Sequence, residues 1–253
     1  MIVKNNKIRL IANLVVKNDI VVQSFEYSNF LPIGSIESSV KNFNRWGADE
    51  ILISAIDRSY SDLGPNFNLL NKLSKIKINT PIIYSGGINN LTNAKKVIEL
   101  GADRIIIEML ALKNLQEIEK ISKVIGAQSL ILSIPLVINE KNNLSYYNYT
   151  TMKISEIPRN FIKLINQDLI SEVLIVDPKS QGFQNKFDKR LLKNFKHNID
   201  LIIYGGISNN NFSYKDQRIK AICYGNSLNY SEHKIQKIKT SLKKFFRKPI
   251  FEK

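Results

Sequence analysis

Two stretches, Pro81–Asn90 (PIIYSGGINN) and Leu201–Asn210 (LIIYGGISNN), are near copies of one another and start 120 residues apart in a chain of 253. Each is an apolar, β-branched run that ends in Gly-Gly-Ile and passes into a polar segment. A repeat at about half the chain length predicts a fold made of two similar halves, and it constrains the architecture more than any single motif. The neighbouring segments repeat as well. GADEILISAID (Gly47–Asp57) precedes the first copy by about thirty residues, SEVLIVD (Ser171–Asp177) precedes the second similarly, and Glu50 lies 122 residues before Glu172.

Eight apolar runs punctuate the chain: Arg9–Val16, Ile51–Ile56, Pro81–Tyr84, Arg104–Ile107, Leu130–Ile134, Val173–Val176, Leu201–Tyr204 and Ile219–Tyr224. Amphipathic segments such as SIESSVKNFNRWG, LTNAKKVIELG and LQEIEKISKVIG separate most of them. Continuous apolar runs alternating with helical patterns predict buried parallel strands in βαβ units. The fold class is therefore α/β. Eight units in this length fit a single (β/α)8 barrel, with a doubly wound sheet as the alternative. The repeat favours the barrel, built from two half-barrels of about 1–125 and 126–253. Two departures from the alternation stand at equivalent places. NLVVKNDIVVQSF reads as a hairpin turning at Asn18-Asp19, and LVINEKNNLSYYNYT (Leu136–Thr150) reads as a second one.

Composition narrows the class. The chain is 43% hydrophobic, has no apolar run long enough to span a bilayer, and lacks a signal-peptide pattern at its N-terminus. Cys223 is the sole cysteine, so no internal disulfide can form and a reducing cytoplasmic setting is expected. The net charge of +15 is spread along the chain except in HKIQKIKTSLKKFFRK (His233–Lys248). There Ile235, Ile238, Leu242 and Phe246 share one helical face with lysines on the other, which reads as an amphipathic terminal helix rather than a membrane or nucleic-acid element. His197 and His233 lack partners at ligand spacing, so no metal site is expected.

Glycines after strands admit close approach of a phosphate to backbone N–H groups. Gly86-Gly87 after strand three and Gly205-Gly206 after strand seven are thus two candidate phosphate loops, the second completed by Gly225, Asn226 and Ser227. Tight turns with positive φ would explain the same glycines.

Taken in order, RLIANLVVKNDIVVQ, GADEILI, IIYSGGI, GADRIII, SEVLIVD and IIYGGIS resemble the cyclase subunit of imidazole glycerol phosphate synthase over nearly the whole chain. The resemblance implies a two-fold repeated barrel that receives ammonia from a glutaminase and closes an imidazole ring, with two catalytic aspartates at the ends of strands one and five. Those positions match Val15 and Pro135, neither of which can carry a proton, and no carboxylate lies between Gln128 and Asn139. Acid and base groups are each worth about 10²–10⁴-fold, so the cyclase reaction is expected to be lost. Glu108 and Met109 replace small polar residues beside the first phosphate loop, where a carboxylate would repel phosphate, and Gln23 stands where a mobile-loop lysine is expected. The resemblance also implies an ammonia gate of four charged residues at the bottom of the barrel: Arg9, Glu50, Arg104 and Glu172. Solvated strand-start charges are the plainer reading of the same four. Asp57 and Asp177 are the remaining strand-end carboxylates, set at related places in the two halves as weak catalytic candidates or loop-ordering groups.

The pattern resembles the divergent cyclase-like proteins of surface-polysaccharide pathways, which act with a glutaminase and a sugar amidotransferase to make acetamidino sugars. It implies an ammonia conduit serving a phosphorylated or nucleotide-linked acceptor, with no cofactor. The alternatives are an active cyclase of histidine biosynthesis, a lyase using glutamine-derived ammonia, and a non-catalytic scaffold for the glutaminase.

Overall fold

The computed structural model describes residues 7–60, 63–184, 186–207 and 216–247. Ser208–Asn210 of the second repeat and Lys248 of the C-terminal segment lie outside the described residues, as do the outermost ends of the two expected half-barrels.

Eight parallel strands close into a barrel with helices between them. In chain order the strands are β1 (Arg9–Lys17), β2 (Ile20–Phe25), β3 (Asn29–Gly34), β4 (Glu50–Ala55), β5 (Ile82–Ser85), β6 (Arg104–Ile107), β7 (Leu130–Ile138), β8 (Leu144–Asn148), β9 (Lys153–Ser155), β10 (Glu172–Val176), β11 (Asp200–Tyr204) and β12 (Ile219–Tyr224). The barrel order is β1-β4-β5-β6-β7-β10-β11-β12, closed by parallel pairing of β12 with β1. The other four strands form two antiparallel extensions, β2-β3 on the end of β1 and β8-β9 on the end of β7. Each half of the chain thus runs as one strand, two hairpin strands and three more barrel strands. β1 and β7, which carry the hairpins, stand on opposite sides of the barrel.

Both faces of the barrel strands are covered, which is why they read as unbroken apolar runs rather than alternating ones. Leu10, Ala12, Leu14 and Val16 of β1 face the outer layer of helices. Ile11 faces inward with Leu52, Ile83, Ile106, Ile131, Leu174, Ile202 and Cys223 to fill the barrel. Side chains alternate along a strand, so Arg9, Asn13 and Val15 share the inward face of Ile11.

Asparagines start three of the helices. Asn66, Asn90 and Asn114 accept hydrogen bonds from the backbone N–H of Leu69, Asn93 and Glu117 at 3.0, 2.8 and 3.1 Å. Asn90 is the last residue of the first repeated stretch, so its polar tail is a helix cap. The aspartates of the two Gly-Ala-Asp motifs pin neighbouring strands: Asp49 accepts from Leu10 N and Asp103 from Ile82 N, both at 2.7 Å.

The C-terminal helix is shorter than its periodicity predicts, ending at Ser241. Ile235, Ile238 and Phe246 are buried as expected, with Phe246 bridging to Ile8 beyond the helix. Lys239 departs from the lysine face: its side chain is fully buried and pairs with Asp49 at 2.8 Å. Burial lowers its pKa, and Asp49 offsets only part of that.

Candidate functional site at the two ends of the barrel axis

At the N-terminal end of the barrel, Arg9, Glu50, Arg104 and Glu172 converge from four strands. Arg9 reaches Glu50 at 3.1 Å and Glu172 at 2.7 Å, and Arg104 reaches the same carboxylates at 3.5 and 2.5 Å. Each arginine bridges both glutamates, so the four form a closed belt of alternating charge. Arg104 also holds Ser171 Oγ at 2.9 Å and the Gln128 carbonyl at 3.2 Å. Glu50 and Glu172 are both buried. These are not solvated strand-start charges, because the strand pleat turns all four toward the axis. Burial raises the Glu50 pKa despite the attraction of Arg9 and Arg104. Burial alone would lower that of Arg9, yet Glu50 and Glu172 together raise it.

Above the belt the interior is apolar, formed by the inward Ile, Leu and Val residues and Cys223. Burial pushes the Cys223 thiol well above its ordinary pKa, so it remains an uncharged part of the wall.

The C-terminal mouth is polar. Ser54 Oγ donates to Asn13 Oδ1 at 2.8 Å, and Gln181 Nε2 donates to the Tyr204 hydroxyl at 3.2 Å. Gln181 and Asn13 both act on the Tyr204 hydroxyl as hydrogen-bonding neighbours, offsetting part of the rise to about 12 that burial causes in its pKa. Val15 and Pro135 occupy inward positions near the ends of opposite strands and are both buried. No other group on β1 or β7 places a carboxylate there.

Glu108 follows β6 and begins the short helix Met109–Lys113. Its carboxyl accepts from Ser133 Oγ at 3.2 Å and from the Tyr146 hydroxyl at 3.0 Å. Burial raises its pKa to about 7, against the pull of these two donors. It is therefore a half-buried acid whose carboxyl titrates near neutral pH. In the sequence Glu108 reads only as an obstacle to phosphate, because Tyr146 reaches it from the β8 extension and no local pattern announces that contact. Met109 lies beside it, with Sδ 3.8 Å from Thr150 Oγ1.

Both hairpins lean over this mouth. Tyr27, from the β2-β3 turn, packs on the barrel-filling cluster, and its ring meets that of Tyr149 from beyond β8 at 4.9 Å, edge to face. Gln23 sits within β2, paired with Leu31 of β3.

The glycine loops end β5 and β11 on opposite sides of the barrel. Gly205, Gly206, Gly225, Asn226 and Ser227 line one pocket with Tyr204 and Cys223, while Gly86 and Gly87 are across from it. The side chain of Asn226 is already spent. Its Oδ1 accepts from Ser24 N at 3.1 Å and its Nδ2 donates to Ser24 O at 2.8 Å, tying the first hairpin to the turn that follows β12. The glycines have a steric reason of their own. A Cβ on Gly86 would stand 2.3 Å from the Ala55 carbonyl oxygen, and one on Gly205 would stand 2.4 Å from that of Asp177.

That parallel corrects the pairing of Asp57 with Asp177. The counterpart of Asp177 is Ala55, and Asp57 lies two residues further on, in the helical turn Ile56–Tyr60. Both carboxylates hold backbone. Asp57 accepts from Asn18 N at 3.1 Å, and Asp177 accepts from Ser180 N at 3.2 Å and Asp188 N at 2.9 Å. Burial raises the Asp177 pKa against these donors. His197 stacks near Phe195 and His233 near Trp46. Among the described residues no group of three or more His, Cys, Asp and Glu side chains could hold a metal, and no helix is long and apolar enough to cross a membrane.

Fold and site together define a (β/α)8 barrel with an ionic belt below, an apolar interior and a hairpin-covered polar mouth above. The chain belongs to the histidine biosynthesis protein family, whose model matches residues 9–233. It is similar to a provisionally named imidazole glycerol phosphate synthase subunit hisF2 of Vibrio vulnificus, at 29% identity over 204 residues, 79% of this chain and 74% of the relative. A counterpart of the same provisional name in Campylobacter jejuni is 30% identical over 204 residues, covering 80% and 81% of the two chains. The imidazole glycerol phosphate synthase subunit HisF of Blochmanniella floridana is 30% identical over 210 residues, covering 78% and 80%. At these identities the chain is a divergent, cyclase-subunit-like member.

Proposed function

We propose that this barrel binds a glutaminase at its N-terminal face and conducts ammonia along its axis to an acceptor at the mouth. The acceptor is a nucleotide-linked sugar of surface-polysaccharide biosynthesis, aminated together with a sugar amidotransferase in the cytoplasm. The observation that carries this reading is the ionic belt of Arg9, Glu50, Arg104 and Glu172 across the entrance to an apolar interior. Ammonia entering such a space stays neutral and nucleophilic, because an isolated charge in an apolar medium is strongly disfavoured. The loss of acids at Val15 and Pro135 supports a conduit over ring closure.

A second reading, a working cyclase, gains support from Glu108 alone, whose pKa of about 7 suits an acid or base. Asp57 and Asp177 add little, since backbone N–H groups occupy both carboxylates. The purified chain with the phosphoribulosyl formimino substrate and excess ammonium salt separates the two readings. No turnover is expected, and enzyme-like turnover would overrule the conduit. With the glutaminase bound, Arg9→Ala should uncouple glutamine hydrolysis from ammonia delivery. Intact coupling would return the belt to a purely structural role.

A further inference from the structure

We propose that Glu108, Tyr27, Tyr146 and Tyr149 form an ammonium-binding site at the mouth of the barrel. The inference deepens the conduit reading and rests on it for its biological meaning, but the site is argued from its own chemistry.

Glu108 is a half-buried carboxyl with two hydroxyl donors, Ser133 and Tyr146, and among the described residues no lysine or arginine pairs with it. A carboxylate drawn partly out of water gains from a cation beside it, and the two hydroxyl donors supply no charge. The Tyr149 hydroxyl, on the second hairpin, is buried with no hydrogen-bond partner among the described residues. An orphaned hydroxyl of this kind is costly unless something binds it. Burial pushes both phenol pKa values well above the ordinary; the field of Glu108 adds next at Tyr149, and at Tyr27 it follows the larger effects of Tyr204, Tyr149 and Cys223. These two rings meet at 4.9 Å, and Tyr147 lies 5.4 Å from Tyr149. A carboxylate, a free phenol oxygen and aromatic faces are what a small organic or ammonium-type cation takes. Few oxygens converge here, which suits an ion that donates a handful of directed hydrogen bonds better than potassium, which needs a fuller oxygen shell.

The carboxyl also gives the site a proton. Neutral ammonia arriving at protonated Glu108 uses its nitrogen lone pair to take the carboxyl proton. An N–H bond forms, the O–H bond breaks and its electron pair stays on the carboxylate, leaving an ammonium–carboxylate pair of unchanged total charge. The reverse step returns neutral ammonia and the acid. Ammonia is thus held as ammonium and released as a nucleophile. Ammonium taken from solvent competes with the proton instead, so its binding tightens as pH rises through about 7.

The test is calorimetric titration of the whole chain with ammonium chloride above that pH, with sodium and potassium chloride as controls. Saturable binding of ammonium is expected, with Glu108→Gln at least about tenfold weaker because a charge-assisted pair is lost. Tyr149→Phe, which removes only one oxygen, should weaken binding about threefold and keeps the result interpretable should Glu108→Gln fold poorly. No ammonium binding, equal binding of potassium, or full binding by Glu108→Gln would overturn the site. The titration uses the barrel alone, so it separates from the conduit. Binding without glutaminase coupling upholds the site while the conduit fails. Coupling without binding sinks the site and leaves the conduit standing.

Discussion

Glu108 shows how one side chain can set a pH response. Its folded pKa of about 7 lies above the ordinary 4.5. Between those values the folded chain keeps a proton that the unfolded chain has released, so stability falls as pH rises from 4.5 through about 7 and then levels. The groups facing it are Ser133 and Tyr146, with Tyr27 and Tyr149 within its field, and all remain uncharged in this range. The full cost is at most about 3.5 kcal/mol, from about 1.4 kcal/mol per pKa unit. Glu108→Gln cannot ionise and should match the wild type in acid but exceed it by up to that amount above neutrality. Urea unfolding at a series of pH values measures this, and an unchanged slope in the variant would show that the proton sits elsewhere. Val15 and Pro135 make the complementary point, since their significance comes from what they cannot do.

At the scale of elements, the two hairpins decide what happens at the mouth. β2 is held to the turn after β12 by Asn226, whose buried amide satisfies both the N–H and the C=O of Ser24. Asn226→Ala should leave both backbone groups unpaired and cost about 2 kcal/mol or more. Hydrogen exchange should then quicken through β2 and β3 while β7 and β10 stay protected. Uniform quickening would mean that the hairpin is no independent unit. The hairpin turn was legible, because Asn18 and Asp19 accept the positive φ that a tight turn needs, at +50° and +61°. The meeting of Tyr27 with Tyr149 was not, since those residues lie in different halves of the chain. The C-terminal segment divides in the same way. Its apolar face follows from periodicity, whereas the burial of Lys239 depends on Asp49 waiting beneath the helix.

For the whole molecule, the belt joins four strands across the axis and links the two halves. Glu172 accepts from both arginines, so Glu172→Gln would leave two partly buried guanidinium groups sharing one carboxylate. A loss of about 3–5 kcal/mol is expected, as for other buried pairs broken on one side. Chemical denaturation measures it, and a loss under about 1 kcal/mol would mark the belt as solvent-screened. We read the repeated order of strand, hairpin and three strands as support for two half-barrels of about 1–125 and 126–253, with the belt as one of the seams between them.

The fold was readable in the sequence because a closed parallel barrel buries both faces of every strand, and that demand writes itself as apolar runs at a fixed spacing. The doubled Gly-Gly was readable for a related reason. A backbone at positive φ packed against the preceding strand accepts no Cβ, so glycine must appear wherever that contact recurs. The belt residues could be named from a resemblance, but their ring of alternating contacts required the strand pleat and barrel closure to bring residues 163 positions apart within 2.7 Å. Tertiary structure alone decided that Asp57 and Asp177 serve backbone, that Asn226 serves a hairpin, and that Glu108 is a half-buried acid held by two hydroxyls. Those roles depend on burial and on partners from distant segments. A one-dimensional pattern records which groups are present, while only the folded chain determines how far each stands from water and from the groups that satisfy it.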